Sequence, residues 1–588
     1  MCGIFGFSGI EKKAPRIIIN GLKDLEYRGY DSWGVAVTNG SKKQSNLKIE
    51  KHVGKIGEGK NSLPSSNCGI GHTRWATHGG VTIANAHPHL SCQGDLALIH
   101  NGIVENYLVL RSKLKNHKLL SDTDTEIIVH LIEEEKNKGV DLLTATKKAF
   151  KKLQGLNAIA LLSSDGQIIT VKNGTPLVLG IGKNENFLAS DPSALLPHTK
   201  KVIFLEDNNI ASLTSKGWQI FDLNGKRLKP KIRRLDWKIE SAKLEGFSHF
   251  MIKEIHEQPK VIRNIAKNYS KQINELSKII KEARGTFFIG CGSASYAALA
   301  GQYLFSKIAD SHVNFSIGSE FNYLEHYLNK NSLIIALSQS GETIDVVEPI
   351  AAVKKRGVKV VALTNVLGST LYRLADYKIP LGAGPEKAVC ATKSFIAMVS
   401  ILIFLAYQMN NEGNSAKEIL IKAAGNIEEI LKDKYLEKIR KLANKIYRKE
   451  HVYIIGRGLS YAAALEATLK LKEVSYIHSE GFAGGELKHG VIALIEEGTP
   501  TIVFVPNDET KEAIISNAIE IKSRGGYIIG VGPSNNEVFD YYLPTFDCRE
   551  ASVIVNTVPA QLLAYYIALK KNLDPDMPRN LAKSVTVR

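Results

Sequence analysis

Short apolar runs separated by turn residues fill residues 1 to about 225. WGVAVTNG, DLALIHNG, QIITVKNG and PLVLGIG each read as a strand closed by Gly or Asn, while TEIIVHLIEEE has helical spacing. An α+β layer arrangement is expected there. Beyond a charged connector, apolar runs of about five residues alternate with longer helical stretches, the pattern of parallel sheets with crossover helices. The second half is therefore expected to be α/β, and it repeats itself. Phe287–Tyr303 (FFIGCGSASYAALAGQY) aligns with Tyr453–Leu469 (YIIGRGLSYAAALEATL), each a strand, a Gly-containing turn and a helix with small residues. The next strands correspond too, but Leu333–Leu337 leads into SQSGET whereas Thr501–Val505 leads into PNDET, so the two copies should differ in function.

Length and composition change the picture only modestly. A chain of 588 residues is too long for one hydrophobic core, and its 44% apolar content suits folded domains. The expected division is an N-terminal domain at 1–225, a linker at 226–245, α/β domains at 246–430 and 431–575, and a tail at 576–588. The net charge of +17 is spread along the chain and reads as a Lys-rich surface. The densest basic stretch, Lys226 to Arg234, contains a Pro at a composition change, so a linker is favoured over a nucleic-acid arm. Six scattered cysteines without CxxC spacing signal neither a disulfide framework nor a zinc site. Lys12 and Lys13 follow the first apolar residues, the reverse of a secretory signal's order, and Phe395–Tyr407 is shorter than the roughly 18 residues that suggest a membrane span. That run is expected to be a buried or interfacial helix, and the protein cytoplasmic, without nucleic-acid or membrane partners.

Candidate chemistry begins at Cys2. Once Met1 is trimmed, Cys2 becomes the terminal residue, and its own α-amine, with an ordinary pKa of about 7.7 to 8, can act as its general base. In SQSGET a buried strand runs into hydroxyl residues and a Gly just before a helical pattern, which makes an anion site suited to phosphate; an N-cap Ser with Glu342 explains Ser340 alone. The turn G-C-G-S-A-S at Gly290–Ser295 is an incomplete dinucleotide fingerprint and implies no NAD.

MCGIFG, EYRGYDS, GHTRWATHG, HNGIVEN and SDTDTE occur in this order and together resemble the class II glutamine amidotransferase domain, an N-terminal-nucleophile hydrolase. The resemblance implies that Cys2 attacks the glutamine side-chain amide, while Asn101 and the backbone of Gly102 stabilise the oxyanion. Arg74 would hold the α-carboxylate with Thr77 and His78 beside it, Asp124 would take the α-ammonium, and Trp75 would gate an ammonia passage. Each has a plainer alternative: Asp122 or Asp124 as a helix cap, Asn101-Gly102 as a tight hairpin, Trp75 as core. Asp124 is kept as ligand and Asp122 as cap.

The repeated half resembles tandem SIS (sugar isomerase) domains. With GELKHG at 485–490 and PRNLAKSVTV at 578–587, nearly the whole chain resembles the glucosamine-6-phosphate synthase family. By that resemblance the substrates are L-glutamine and D-fructose 6-phosphate. Ser338, Gln339, Ser340 and Thr343 would hold the phosphate with Ser293, while Val389 and Ala582 would offer backbone contacts to the sugar. His489 would open the ring, Lys583 would form an imine at C2, Glu473 would move a proton between C1 and C2, and Lys470 would tune that carboxylate or help ammonia addition. An ordinary surface pair is the alternative for Lys470 and Glu473. His489 would serve the neighbouring subunit's site, implying a homodimer or larger. No cofactor or metal is implied. The family's C-G-T-S turn is here Cys291-Gly292-Ser293-Ala294, which leaves the contact at 294 backbone-only or lost. Other class II amidotransferases would need a phosphoribosyl or ATP-pyrophosphatase signature, and a sugar-phosphate sensor would need SQSGET but not Glu473, His489 and Lys583 together.

Overall fold

The structure, a computed structural model, describes residues 2–39, 47–59, 61–235 and 244–586. Met1, part of the expected linker (236–243) and the last two tail residues lie outside them. The chain divides into two compact units, Met1–Ile239 with Ser584–Arg588, and Glu240–Lys583.

In the first unit two antiparallel sheets stack face to face. One has eight strands in the order Arg233–Arg234, Lys201–Phe204, Val178–Ile181, Glu185–Ala189, Gly3–Gly9, Cys68–Arg74, Ser32–Val37, Lys48–Val53. The other has six: Gly217–Asp222, Asn209–Thr214, Ile168–Asn173, Asn157–Ser163, Leu96–Gly102, His89–Leu90. Period-2 alternation assigns each side chain to a layer. Ile4 and Ile70 from one sheet meet Ala97, Ile99 and Ala160 from the other in the inter-sheet core. Phe5, Phe7 and Val35 face outward onto the helix Ala14–Leu25. Leu96, Leu98 and Ile159 face outward onto the helices Asp124–Asn137 and Leu142–Phe150. The result is a helix–sheet–sheet–helix stack, the α+β layering expected. Part of the basic stretch belongs to this unit, since Arg233 and Arg234 pair with Val202 and Lys201 at the sheet edge.

The second unit holds two five-stranded, all-parallel sheets of identical order. The first runs Asn314–Ile317, Thr286–Gly290, Leu333–Ser338, Lys359–Thr364, Tyr377–Pro380. The second runs His478–Ala483, His451–Gly456, Pro500–Phe504, Tyr527–Gly532, Tyr541–Pro544. The repeat extends to backbone angles: Gly292 (φ 56°, ψ −131°) and Gly458 (φ 54°, ψ −128°) cap the equivalent helices Ser293–Lys307 and Leu459–Lys470. Only glycine enters such a conformation without strain.

Helices of both repeats share one continuous core. At its centre Lys393–Met409 is buried along almost its whole length, as its apolar run suggested. Gly301 lets the helix Ser293–Lys307 approach this one, since a Cβ there would lie 2.9 Å from Phe288 and 3.1 Å from Leu402. One helix, Arg549–Lys570, is long and apolar enough to cross a membrane, and 89% of its apolar window is buried inside the protein.

Leu402 is fully buried in this core. Leu402→Ala should destabilise the second unit by about 3 kcal/mol, whereas the near-isosteric Leu402→Met should cost less than about 1.5 kcal/mol; denaturant unfolding of both variants checks the pair.

Candidate active sites

The strand Gly3–Gly9 lies inside its sheet, paired with Cys68–Arg74 on one side and Glu185–Ala189 on the other, so its first residues cannot fray. Cys2 stands just before it. Its carbonyl accepts hydrogen bonds from Asn101 Nδ2 (2.9 Å) and Arg28 Nε (3.3 Å), and its Sγ accepts one from the backbone N–H of Trp75 (3.3 Å). Burial pushes the thiol above its ordinary pKa, so these surroundings do not supply a thiolate and a base is required.

A narrow cleft around Cys2 is lined by Arg74, Trp75, Thr77, His78, Gly102 and Asp124, all singled out from the sequence, and also by His87, His100, Thr123 and Thr125. Asn101 and Gly102 end the strand Leu96–Gly102, pairing with Ala158 and Asn157, and do not form a hairpin turn. Gly102 has φ +140°, and a Cβ there would lie 2.2 Å from the Leu156 carbonyl, so glycine is required. Trp75 is half-buried and belongs to none of the hydrophobic clusters.

Three details differ from expectation. The cap of the helix Asp124–Asn137 is Thr123, whose hydroxyl accepts from the Glu126 N–H; Asp122 instead donates its N–H to Asn85 Oδ1 at 2.9 Å. Glu126 reaches back to the N–H groups of Leu120 and Ser121, so a cap set with Glu at the third position was readable in SDTDTE. Arg74 donates to the carbonyls of His78, Gly79 and Gly80, so its fork holds the loop that follows it. Asp124 accepts the Val104 N–H at 2.8 Å through one oxygen.

Sequence reasoning assigned no role to His72, although it lies in GHTRWATHG. Its Nε2 sits 2.9 Å from the His100 carbonyl and 3.0 Å from Asn101 Oδ1, both acceptors, so Nε2 carries the proton and the Asn101 amide is turned with its nitrogen toward Cys2. Burial pushes the His72 pKa down to about 3 and keeps the ring neutral. Asp31, from EYRGYDS, accepts the Ala76 N–H at 2.8 Å and anchors the start of the loop.

In the second unit, the first sheet's order places its topological switch between the strands Thr286–Gly290 and Leu333–Ser338, where open α/β sheets bind ligands beyond the strand ends. The turns leaving those strands are Cys291–Ser293 and Gln339–Thr343. Gly341 has φ +65°; its N–H donates to Ser338 Oγ at 2.9 Å, and Ser340 Oγ accepts from the Glu342 N–H at 3.1 Å. Ser338 and Thr343 hydroxyls are 3.4 Å apart. Gln339 Oε1 is buried without a hydrogen-bond partner, as are the hydroxyls of Thr364 and Ser369 that flank Gly341. At the departure from the family turn, the Ala294 N–H already donates to the Cys291 carbonyl at 3.2 Å.

Lys470 overturns the surface-pair alternative, because it is fully buried. Its Nζ lies 2.7 Å from Glu473 Oε2, 3.3 Å from Glu466 Oε1, 3.1 Å from Ser293 Oγ and 2.9 Å from the Ala391 carbonyl. This ammonium joins the second repeat's helix to the turn that leaves the first repeat's strand Thr286–Gly290. Burial pulls the Lys470 pKa down, but Cys390, Glu466 and Glu473 more than offset it, while burial pushes Glu466 up to about 7. Glu473 sits in the π-helical turn Leu471–Ser475 and accepts the Cys390 thiol at 2.9 Å. π-turns of this kind often mark functional sites.

Lys583 is also buried, donating to Glu386 Oε2 (2.6 Å) and the Ala388 carbonyl (2.8 Å). The Val389 N–H donates to the Asp576 carbonyl at 2.9 Å. The segment Glu386–Ala391 thereby connects Lys583, Lys470 and Glu473, and Ala582 precedes Lys583. Glu386, Glu466 and Cys390 were missed from the sequence because their roles come from burial beside lysines remote in the chain. His489 does not join this group. It ends the exposed turn Gly484–His489 and makes no hydrogen bond or ion pair among the described residues of its own chain.

Comparison with known proteins divides the chain in the same way. A glutamine amidotransferase domain model matches residues 41–235, and a SIS domain model matches 279–407 and again 445–571. The chain is 41% identical to the isomerising glutamine–fructose-6-phosphate aminotransferases of Aquifex aeolicus and Thermococcus kodakarensis, and 40% identical to that of Clostridium tetani, over 100% of each chain. Among solved structures, the C-terminal domain of the Francisella tularensis glucosamine-fructose-6-phosphate aminotransferase superposes with a TM-score of 0.53 at 31% identity, covering 57% of this chain and 100% of that one.

Burial alone would raise the Glu386 pKa from 4.5, but Lys583 and the Ser394 N–H hold it at about 2. A folded pKa below the unfolded one stabilises fully above about pH 4.5, and that contribution is lost as pH falls toward 2. Glu386→Gln leaves the Lys583 ammonium buried without its counter-ion and should cost about 3 to 5 kcal/mol at neutral pH. The gap between variant and wild type should close below pH 4.5, measured by urea unfolding across pH.

Proposed function

The chain belongs to the family of isomerising glutamine–fructose-6-phosphate aminotransferases, and from that premise we propose how its two units divide the reaction. The enzyme converts L-glutamine and D-fructose 6-phosphate to L-glutamate and D-glucosamine 6-phosphate. The observation that carries our residue assignment is the cleft that gathers Cys2, Arg74, Gly102 and Asp124 from four separate chain segments.

Cys2 Sγ attacks the glutamine side-chain carbonyl, its proton passing to the α-amine that removal of Met1 exposes. Asn101 Nδ2 and the Gly102 N–H face the oxygen as it becomes anionic, and His72 holds the Asn101 amide in that sense. Collapse releases ammonia and leaves a thioester, which water hydrolyses to glutamate. Arg74 takes the α-carboxylate on moving from the His78–Gly80 carbonyls, and Asp124 offers its second oxygen to the α-ammonium. Thr77 and His78 line the same cleft, and Trp75 gates the exit of ammonia.

In the second unit, the hydroxyls of Ser293, Ser338, Ser340 and Thr343 with Gln339 receive the phosphate at the sheet's switch point. The Val389 and Ala582 carbonyls face the sugar. Lys583 condenses with C2 of the open-chain sugar, ammonia displaces it by imine exchange, and Glu473 carries a proton from C1 to C2. That transfer converts a C2 imine and C1 alcohol into a C2 amine and C1 aldehyde. Lys470, 2.7 Å from Glu473 Oε2, orients that carboxylate for the transfer. His489, exposed and unengaged in its own chain, opens the ring in a partner subunit's site, making the working enzyme at least a dimer. Six free thiols fit a reducing cytoplasm.

The untagged protein should yield glutamate and glucosamine 6-phosphate in equal amounts. Cys2→Ala should abolish glutamine use, Lys583→Ala should remove the aminosugar while glutamate still forms, and Asn101→Ala should lower the glutaminase kcat by about 10²–10³. An uncleavable N-terminal extension should act like Cys2→Ala and leave fructose 6-phosphate binding intact; glutaminase activity in the extended protein would refute the terminal-nucleophile assignment.

A further inference from the structure

Away from both sites, the first unit brings together four side chains that the reaction does not use. Cys92 follows the strand His89–Leu90, His117 lies in the loop before the helix Asp124–Asn137, and His130 and Glu133 project from that helix three residues apart. Cys92 Sγ is 3.3 Å from His117 Nδ1 and 3.6 Å from His130 Nδ1. The two Nδ1 atoms are 3.1 Å apart, and Glu133 Oε2 is 3.3 Å from the first and 3.2 Å from the second. All four atoms lie within 4.8 Å of one another.

Five of the six separations, at 3.1–3.6 Å, are close to the edges of a tetrahedron, and the sixth, Cys92 Sγ to Glu133 Oε2, is within 4.8 Å. Zinc bound at about 2.0–2.1 Å to nitrogen and oxygen and about 2.3 Å to sulfur has ligand-to-ligand edges of about 3.3–3.6 Å. Hydrogen bonding accounts for the cluster less well. His117 Nδ1 faces a thiol, an imidazole nitrogen and a carboxylate oxygen at once, and a single N–H cannot serve all three. A cation at the centre satisfies every contact, and thiolate plus carboxylate balance its two charges.

The surroundings fit the same reading. His130 Nε2 is buried, makes no hydrogen bond within 3.5 Å among the described residues and lies 3.8 Å from Glu126 Oε1, while His117 Nε2 lies 3.7 Å from Glu134 Oε1. Carboxylates behind the rings favour protonated Nε2 and leave Nδ1 for a metal. The N–H groups of Cys92 and Gln93 donate to Glu133 at 3.1 and 3.2 Å and fix the hairpin above the helix. Cys92 is exposed, which gives an entry path, while His130 and Glu133 are buried.

We propose that Cys92, His117, His130 and Glu133 form a structural zinc site that clips the hairpin and the preceding loop to the helix whose first residue is Asp124. Four protein ligands fill the tetrahedron and leave no place for a reactive water, so the role is structural. Zinc binding displaces the Cys92 proton and any proton on His130. Spacings of 25 and 13 residues between the first three ligands match no zinc motif, which is why no signal was legible along the chain.

The test uses the full-length protein, stripped with a chelator and titrated separately with Zn²⁺ and Co²⁺. The expected result is one equivalent bound, a Tm that rises with zinc concentration, and a Co²⁺ complex with a thiolate charge-transfer band and the intense absorption of tetrahedral cobalt. Cys92→Ser should remove the charge-transfer band and weaken zinc at least tenfold, His117→Ala should weaken it similarly, and Cys2→Ser should change neither. Folded wild-type protein without the cobalt–thiolate band, or zinc affinity unchanged in both cluster variants, overturns the site.

Discussion

A chain terminus is ordinarily the least ordered part of a protein, yet the reaction proposed for this enzyme uses Cys2 and Lys583, one near each end of the sequence. Holding those ends still is the constraint on which both sites depend. At the N-terminus the restraint is a strand paired on both sides, reinforced by bonds from Asn101 and Arg28 to the Cys2 carbonyl. Near the C-terminus no sheet is available, and Lys583 is held by a buried ion pair with Glu386 and a bond to Ala388. Backbone pairing positions a residue to within the sheet's register, whereas an ion pair positions a single charged atom. Each restraint suits the group it holds in the proposed reaction, where Cys2 presents both a thiol and an α-amine, and Lys583 only an amine.

Lys470 plays a comparable part inside the second unit. A fully buried ammonium is tolerated because two carboxylates, a hydroxyl and a carbonyl surround it. Since Ser293 belongs to the first repeat and Glu466, Lys470 and Glu473 to the second, this one charge ties the turn proposed to receive phosphate to the carboxylate proposed to move the proton. Duplication of the α/β unit supplied two equivalent switch points. The first kept the hydroxyl-rich turn, and the second contributed the helix that bears the charged groups.

The glutamine cleft shows how neutral groups are kept oriented. His72 is too buried to ionise, so its single N–H has a fixed position and determines which way the Asn101 amide turns. Arg74 holds its own following loop by three carbonyls, so the guanidinium is not left bare in the absence of the substrate carboxylate proposed for it. Farther along the helix that begins at Asp124 stand His130 and Glu133, which meet Cys92 and His117, so this helix is anchored at more than its cap.

Periodicity in the chain was enough to foresee strands in the first unit, alternating strands and helices in the second, and the duplication, because those depend on local spacing of apolar residues. The motifs MCGIFG, HNGIVEN and SQSGET supplied many of the side chains proposed for the reaction for the same reason, each being a short contiguous segment. Tertiary structure alone decided that Lys470 is buried rather than paired at the surface, and that Glu386, Glu466, Cys390 and His72 stand behind the named residues. It also brought four metal-binding side chains to one point. Those outcomes depend on which distant segments pack together and exclude water, and burial changes the charge and partners of a side chain in ways that no local pattern records.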